Sequence, residues 1–374
     1  MADPARVRQG PVGIGLIGAG TISAEYLDNL ARFPDTRVVA IGDLRPEVAQ
    51  GRAAEHAISV SGGPEAVLDH DDVEIVVNLT VPAAHAEVAS QAIAAGKHVW
   101  NEKPLAADRV AALDLLERAA EAGLRVGCAP DTFLGSGLQA ARRLIDQGAI
   151  GEPLSALALM QSPGPDAWHP NPAFLFQEGA GPLFDLGPYY LTALVQLFGP
   201  IARAAALGSV ARSERVVGAG PLAGTTFPVT TPSHVSTILG FASGQSAQAI
   251  FSFDSPLPRV LLEVTGTDAT LILPDPNRFD GDVCIRRRGA SAEEPLMSTT
   301  QRSSRGTGVL EMARAIRAGR PHRADGALGF HVLDAMVAVR RSMDEGAFVT
   351  VESSVARAEP LPEDWDPMAA TLAT

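Results

Sequence analysis

Three consecutive residues in the first third of the chain are suited to proton chemistry. Glu102, Lys103 and Pro104 place a carboxylate, an ammonium group and a proline side by side. They follow Val99 and Trp100, which we interpret as the end of a buried strand. Open α/β sheets bind their ligands at the carboxyl ends of the parallel strands, and Pro104 favours an extended backbone at Lys103. The pattern predicts a lysine directed at a ligand, with a surface lysine before a turn as the alternative.

A second pair of residues could complete this chemistry. Asp185 and Tyr189 are four residues apart at the predicted start of an apolar helix, with Pro188 predicted in its first position, so both can face one side. Hydride transfer at a hydroxyl carbon also needs a group that takes or supplies the hydroxyl proton. A tyrosine near a lysine suits that role, because the ammonium group lowers the pKa of the phenol. A helix cap for Asp185 and a core position for Tyr189 are the structural alternatives.

A glycine-rich turn near the start of the chain would supply the cofactor for this chemistry. Val12–Ile17 is a short apolar strand, and Gly18-Ala-Gly20-Thr-Ile-Ser23 leads from it into a helical pattern. Strand, glycine turn and helix in this order are typical of a dinucleotide-binding loop, in which Gly18 permits the tight turn and Gly20 lets the backbone approach a pyrophosphate. Ser23 replaces the third glycine of that fingerprint and is small. A plain glycine turn is the alternative.

A carboxylate follows the next predicted strand, residues 37–41. Asp43 lies 20 positions after Ser23, the separation expected for the residue that binds the adenosine ribose hydroxyls. A carboxylate there repels a 2′-phosphate, which favours NAD over NADP, although Arg45 keeps NADP possible. An aspartate that only starts a turn is the structural alternative.

Strands and helices then alternate to about residue 130, which predicts an α/β fold with a doubly wound parallel sheet. One predicted helix opens at His85, which either touches the cofactor or is a capping or solvated histidine. From Asp131 onward most predicted elements are strands with alternating or β-branched residues, as in a large, mostly antiparallel sheet. We predict three regions: a Rossmann domain at 1–130, a substrate-binding and oligomerisation α/β domain at 131–357, and a loose tail at 358–374.

Composition and charge exclude several classes of protein. The chain of 374 residues suits two domains, and its net charge of −13, without a run of Lys and Arg, argues against binding nucleic acid or anionic membrane. Cys128 and Cys284 lie in apolar runs and look like reduced core residues, as in cytoplasmic proteins. Arg6 and Arg8 precede an apolar stretch that faintly imitates a secretory signal, but the glycines in it fit a phosphate loop better. We therefore expect a cytoplasmic protein without a membrane span.

Other kinds of catalytic site have no support in the sequence. The eight histidines are scattered, none at ligand spacing, and Cys128 stands alone, so we predict no metal site. The Gly-x-Ser-x-Gly pattern of a hydrolase nucleophile is also not evident.

Taken together, the motifs resemble the glucose–fructose oxidoreductase, inositol dehydrogenase and rhizopine-catabolism family, written Gfo/Idh/MocA. The resemblance covers nearly the whole chain and rests on the glycine loop, Asp43, Thr80-x-Pro82-x-x-His85, Ala95-Gly-Lys-His-Val99, Glu102-Lys-Pro104 and Gly179-x-Gly181 followed by Asp185-x-Gly187. It implies a Rossmann domain followed by an α/β domain with an open-faced sheet that often mediates homodimers or homotetramers. It also implies that Lys103 is the catalytic residue on the nicotinamide side.

The resemblance and the predicted position of each residue define an expected site. Trp168-His169 resembles the family's tryptophan–arginine pair near the cofactor, with histidine in place of arginine. Many members have histidine where this chain has Tyr189, and a tyrosine there is similar to glucose–fructose oxidoreductase and the dimeric dihydrodiol dehydrogenases. The expected cofactor contacts are Gly18, Gly20, Thr21, Ile22, Asp43, Leu44, Arg45, Leu79, Thr80, Pro82, His85, Glu102, Lys103 and Trp168. The expected substrate contacts are Lys103, Asp131, His169, Asn171, Asp185, Tyr189 and Tyr190.

The predicted activity is hydride transfer between NAD, or NADP, and a hydroxyl or keto carbon of a sugar, cyclitol or glycoside. Lys103 and Tyr189 would handle the proton and Asp185 would assist. One alternative is a redox-neutral enzyme whose tightly bound NAD oxidises a sugar and is then reduced again. Another is a protein that senses a dinucleotide or sugar without chemistry.

Overall fold

The computed structural model describes residues 9–299 and 304–372. Arg6 and Arg8 lie outside the described residues. The chain forms two compact units. The first consists of the described parts of 1–134, 302–330 and 361–374, and the second consists of those of 135–301 and 331–360.

The helices and strands follow one another in the order that the apolar periodicity indicates. The longer helices are α1 (Thr21–Leu30), α2 (Pro46–Glu55), α3 (Glu65–Leu68), α4 (His85–Ala94), α5 (Arg109–Glu121), α6 (Ser136–Asp146), α7 (Gly181–Phe198), α8 (Thr307–Arg317) and α9 (Gly326–Glu345). The strands are β1 (Val12–Ile17), β2 (Thr36–Gly42), β3 (Val60–Gly62), β4 (Ile75–Asn78), β5 (His98–Asn101), β6 (Val126–Cys128), β7 (Pro153–Gln161), β8 (Ile201–Ser209), β9 (Glu214–Val216), β10 (Thr226–Pro228), β11 (His234–Phe241), β12 (Ser246–Ser252), β13 (Arg259–Gly266), β14 (Ala269–Leu273), β15 (Gly281–Arg287), β16 (Glu294–Thr299) and β17 (Val349–Thr350). None of the helices within these residues is long and apolar enough to cross a membrane.

The first unit is built on a parallel sheet. Among the described residues its six strands lie in the order β3-β2-β1-β4-β5-β6, and every pair is parallel. All residues of β1 and β4 are buried, as expected for strands covered on both faces. The strand order reverses between β1 and β4, which is where doubly wound sheets bind ligands. The predicted Rossmann fold is confirmed.

Later segments of the chain complete the first unit, which differs from the predicted contiguous regions. Arg314 on α8 pairs with Asp35 at 2.7 Å, and both side chains are buried. The backbone N–H groups of Thr371 and Leu372 also donate to Asp35, each at 3.0 Å. A buried carboxylate needs such donors. For this reason residues 304–330, inside the predicted second domain, and residues 361–372, in the predicted tail, belong to the first unit.

The second unit is built on a large mixed sheet. Its strands, counted within the described residues, lie in the order β16-β15-β14-β13-β7-β12-β11-β8-β17, and only β7 and β12 pair in parallel among them. Helix α7 packs against β7, β11 and β12. The strands alternate between buried and more exposed residues, as in β11, because only one face packs on α7. The predicted mostly antiparallel sheet is confirmed.

Several local predictions were wrong. Helix α7 begins at Gly181, with Pro182 in its first turn, so Pro188 lies inside the helix and Asp185 is not its cap. Gly181, the first residue of α7, has a positive φ of +84°, which favours glycine. A Cβ at this position would also lie 2.9 Å from the carbonyl oxygen of Pro232. The short strands β9, β10, β16 and β17 were not predicted, since short, partly polar edge strands give a weak alternation signal.

Candidate active site

The glycine loop of the first unit has the geometry of a phosphate-binding turn. Gly18 has φ +104°, and an added Cβ would lie 2.7 Å from the carbonyl of Leu79, so only glycine fits. Gly20 precedes α1 with nothing within 4 Å of its Cβ position, and α1 has no side-chain cap at this end. Uncapped N–H groups beside an open space suit a pyrophosphate. Ser23 is buried, and its hydroxyl donates to the Gly20 carbonyl at 2.6 Å.

Asp43 lies beside this loop at the end of β2. Its Oδ2 accepts a hydrogen bond from the N–H of Ala19 at 2.8 Å, and its Oδ1 accepts one from the N–H of Arg45 at 2.9 Å. The carboxylate thus supports the glycine loop and remains only partly buried. Leu44, which follows it, is 88% exposed. This arrangement suits a carboxylate that accepts hydrogen bonds from the hydroxyls of a ribose.

Two buried asparagines, which the sequence did not identify, join the ends of β4 and β5. Asn78 donates to the side chain of Asn101 at 2.9 Å and to the carbonyl of His85 at 3.0 Å. The hydroxyl of Thr80 donates to Asn78 at 2.7 Å, and Asn101 donates to the carbonyl of Leu105 at 3.1 Å. The loops that follow both strands are therefore held to one another. The sequence signal that could have identified these asparagines is a polar residue at the end of each apolar strand.

Lys103 follows β5 and is half-buried. The peptide bond between Lys103 and Pro104 is cis. Glu102 bonds on both sides: Oε1 accepts from the hydroxyl of Tyr26 at 2.8 Å, and Oε2 accepts from the N–H of Lys103 at 3.0 Å. Trp100 donates from Nε1 to the Tyr26 hydroxyl at 3.2 Å. The lysine backbone is therefore fixed by a buried network, and Glu102, predicted as a cofactor contact, is engaged within the protein.

His85 also contacts the loop that contains Lys103 and Pro104. Its Nδ1 lies 2.7 Å from the carbonyl of Pro104, and its Nε2 lies 3.1 Å from the carbonyl of Thr80. The residue is 1% exposed, so it is neither a solvated histidine nor a cap. Pro82 opens a short 3-10 turn that leads into α4 at His85. The structure thus gives His85 a role in holding two loops together, whereas we had predicted a cofactor contact.

Asp131 has a structural role that differs from the predicted substrate contact. The side chain is fully buried, and Oδ2 accepts from the N–H groups of Gly306 and Gly308, at 3.0 and 2.9 Å, at the start of α8. Burial raises the pKa of Asp131 to about 6, opposed by the hydrogen bond from Gly308 and the charge of Arg305. One carboxylate oxygen of Asp131 therefore caps the amino end of α8.

The second unit carries the predicted proton-handling pair on α7. Asp185 is half-buried and Tyr189 is 6% exposed, and their four-residue spacing within one helix puts them on the same side. Tyr190 points into the core: it is 1% exposed, its hydroxyl donates to the Leu159 carbonyl at 3.3 Å, and its ring packs edge-on against Phe251. Tyr190 is therefore not supported as a substrate contact.

A proline-rich loop of the second unit presents the remaining predicted residues. Trp168 is 68% exposed and packs edge-on against His169, with ring centres 5.6 Å apart, and Asn171 is exposed. Arg215 on β9, which the sequence did not identify, fixes this loop. It donates to Asp166 at 2.6 Å and to the Pro163 carbonyl at 2.9 Å. A buried arginine thus holds an exposed aromatic segment in one conformation.

In the first unit the predicted residues do gather at one edge of the sheet. Gly18, Gly20 and the first turn of α1, with Thr21 and Ile22, follow β1; Asp43 follows β2; Leu79 and Thr80 follow β4; and Lys103 follows β5. These are carboxyl ends of parallel strands, which meet at the same edge. Within residues 9–299 and 304–372, no group of three or more His, Cys, Asp or Glu side chains is placed to hold a metal ion.

The sheet and its glycine loop have the form of a dinucleotide-binding domain, and the sequence comparisons assign this domain to a family of oxidoreductases. Residues 12–129 match the family described as "Oxidoreductase family, NAD-binding Rossmann fold", and residues 138–272 match the "GFO/IDH/MocA C-terminal domain". The chain belongs to the GFO/IDH/MocA family of oxidoreductases and carries its NAD-binding domain. The predicted family, enzyme class and cofactor are confirmed.

Relatives of this chain include enzymes that act on sugars. It is 32% identical over 242 residues to a dTDP-3,4-didehydro-2,6-dideoxy-alpha-D-glucose 3-reductase of Actinomadura kijaniata, covering 62% of this chain and 69% of that protein. It is 27% identical to a 1,5-anhydro-D-fructose reductase of Ensifer adhaerens, covering 80% of this chain and 82% of that protein. A crystal structure of an NAD binding oxidoreductase from Klebsiella pneumoniae shares the fold, with a TM-score of 0.81 and 23% identity over 92% of this chain and all of that one.

Proposed function

We propose that this protein transfers a hydride between NAD and a hydroxyl or keto carbon of a sugar, cyclitol or glycoside. The observation that supports this most is the placement of Lys103. It lies at the carboxyl end of β5, in the unit that carries the glycine loop, with its backbone N–H bound by the partly buried carboxylate of Glu102. The sugar reductases among its relatives support the substrate class.

In this proposal each residue has one task. The nicotinamide supplies or accepts the hydride. Lys103 donates a hydrogen bond to the substrate oxygen and polarises its carbon, while Tyr189 exchanges the hydroxyl proton and Asp185 orients it. In the same proposal His169 and Asn171 bind other hydroxyls of the substrate, and Trp168 contacts the cofactor.

We further propose that NAD is preferred to NADP. Asp43 presents a carboxylate held by two backbone N–H groups beside the glycine loop. A ribose hydroxyl can donate to such a carboxylate, whereas a 2′-phosphate meets like charge. Arg45, two residues after Asp43, is the residue that would accommodate a phosphate if NADP binds.

The proposal is tested by mixing the purified protein with NAD or NADP and a panel of sugars, cyclitols and their keto forms, and following nicotinamide absorbance. We expect NADH formation, or its consumption with a keto substrate, with kcat/KM for NAD at least about tenfold above that for NADP. NAD released from denatured protein in a one-to-one ratio, with turnover but no accumulating NADH, would instead support the redox-neutral cycle. Binding of NAD with no turnover of any substrate would contradict an enzymatic function.

We propose that the open face of the large sheet joins two or more copies of this chain. Apolar side chains form a row across three strands of it, with Leu159 paired to Ile250 and to Leu261, and Ile238 on the same face is 48% exposed. An apolar sheet face of this kind is normally covered. We expect a homodimer or homotetramer by light scattering, and monomers for Ile238→Asp. Val110→Asp, on the surface of α5, is the control that should not change the mass.

The cysteines support a cytoplasmic location for this protein. Cys128 and Cys284 are both free thiols. Unpaired cysteines of this kind are ordinary in a reducing compartment.

A further inference from the structure

A chain of buried and partly buried hydrogen bonds connects α1 with the Lys103 loop. Tyr26 lies on α1, the helix that begins directly after the glycine loop, and its side chain is fully buried. Its hydroxyl accepts from Nε1 of Trp100 and donates to Oε1 of Glu102. Because indole can only donate, the phenolic proton must point to Glu102. The direction of both bonds is therefore fixed.

The second oxygen of Glu102 carries the connection to the lysine. Oε2 accepts from the N–H of Lys103 at 3.0 Å, and the N–H of Glu102 donates to the carbonyl of Asn78 at 3.0 Å. The carboxylate is thus bound on both oxygens by groups of the protein. A side chain that served only to fill the core at position 26 would not need a hydroxyl.

The charged groups around Tyr26 keep it a hydrogen-bond donor. Burial, and after it the charges of Glu102 and Asp131, raise the pKa of Tyr26 well above its ordinary value, and Arg305 and the bond from Trp100 oppose this only partly. The raised pKa favours the protonated phenol, which is the form that donates to Glu102.

We propose that Tyr26 and Glu102 are positioning residues that fix the Lys103 backbone relative to the dinucleotide-binding helix. This inference rests on the proposed function, in which Lys103 acts on the substrate. Its consequence is that α1, whose first turn would receive the pyrophosphate, also sets where the lysine stands.

The test uses Tyr26→Phe in the full-length protein, with Thr36→Val as a matched control. Thr36 also has a buried hydroxyl, which donates to the carbonyl of Leu30 at the opposite end of α1, so its loss should cost similar stability. We measure the thermal midpoint, amide hydrogen exchange at Lys103, Kd for NAD, and kcat as a function of pH. Glu102→Gln is the second variant, because an amide has one acceptor oxygen and cannot serve both Tyr26 and Lys103.

For Tyr26→Phe we expect amide exchange at Lys103 to become about tenfold faster and kcat to fall about tenfold or more, with Kd for NAD changed less than about threefold. Glu102→Gln should also speed amide exchange at Lys103 and lower kcat, while Thr36→Val should change only the thermal midpoint. Unchanged exchange in Tyr26→Phe would overturn the link itself. Faster exchange with unchanged kcat would overturn its positioning role.

The exchange measurement also separates this inference from the proposed function. Exchange at Lys103 can be followed whether or not a substrate is turned over. If the parent protein acts on no substrate, the proposed function fails, and the positioning role fails with it even where exchange responds to Tyr26→Phe. If the parent is active and the exchange does not respond, only the positioning role fails.

Discussion

Lys103→Ala is expected to bind NAD normally and to lose about 10³-fold in kcat, the upper end of what one preorganised hydrogen-bond donor contributes. The side chain is half-buried and its backbone is held by Glu102, so truncation should leave the loop in place. The measurement is steady-state turnover of the best substrate, with NAD affinity and thermal unfolding recorded on the same preparation. A folded Lys103→Ala protein that turns over substrate at the parent rate would contradict the catalytic role.

Lys103→Arg tests what the lysine contributes. Arginine keeps the positive charge but does not release a proton at any working pH. If proton transfer or exact hydrogen-bond geometry is required, Lys103→Arg should recover less than about a tenth of the parent kcat. Full recovery would show that charge alone suffices. Lys97 cannot take over the role, because its Nζ is buried and donates to the carbonyls of His70 and Val73 at 2.8 and 2.9 Å.

The second large effect is expected in the glycine loop, where alanine at Gly18 should lower both stability and NAD affinity, and alanine at Gly20 should lower NAD affinity alone. Gly18→Ala forces a side chain into a positive φ and against the Leu79 carbonyl. We expect a loss of about 2 to 4 kcal/mol in the free energy of unfolding and NAD affinity at least about 100-fold weaker. Gly20→Ala meets no protein atom within 4 Å, so stability should be unchanged while NAD binds at least about tenfold more weakly.

Isothermal titration with NAD and thermal unfolding together distinguish these cases. Gly51→Ala, in α2 with nothing within 4 Å of the added Cβ, is the control: it should leave NAD affinity unchanged and stabilise the protein by up to about 1 kcal/mol. If Gly20→Ala bound NAD as tightly as the parent, the glycine loop would be only a turn and the pyrophosphate would lie elsewhere.

The sequence predicted the parts of the site that depend on local signals. The glycine loop, Asp43 and Lys103 each follow an apolar strand, and the parallel sheet brings the ends of those strands to one edge. One compositional signal was also present: of 30 Lys and Arg residues, lysine occurs only at 97 and 103, which leaves 28 arginines. An amine in a chain that otherwise uses arginine is a sign of chemistry that a guanidinium cannot perform.

Contacts between distant residues could not be predicted. Tyr26 and Glu102 are 76 positions apart, and Asp131 caps a helix that begins more than 170 residues later. Nothing in the local pattern distinguishes such an aspartate from a ligand residue, because both follow a strand of the same sheet. The buried Arg215 was missed for the same reason, since its partners Asp166 and Asp254 precede and follow it by about 40 to 50 positions.

The division of the first unit among separate chain segments has a consequence for synthesis. Its sheet is made from residues 12–128, which leave the ribosome well before Arg314 and Thr371, the later partners of Asp35. The second unit is complete at residue 360, before the first. During translation the unit that begins first is therefore finished last, and a nascent chain can assemble its large sheet while the nucleotide-binding half still waits for its final segment.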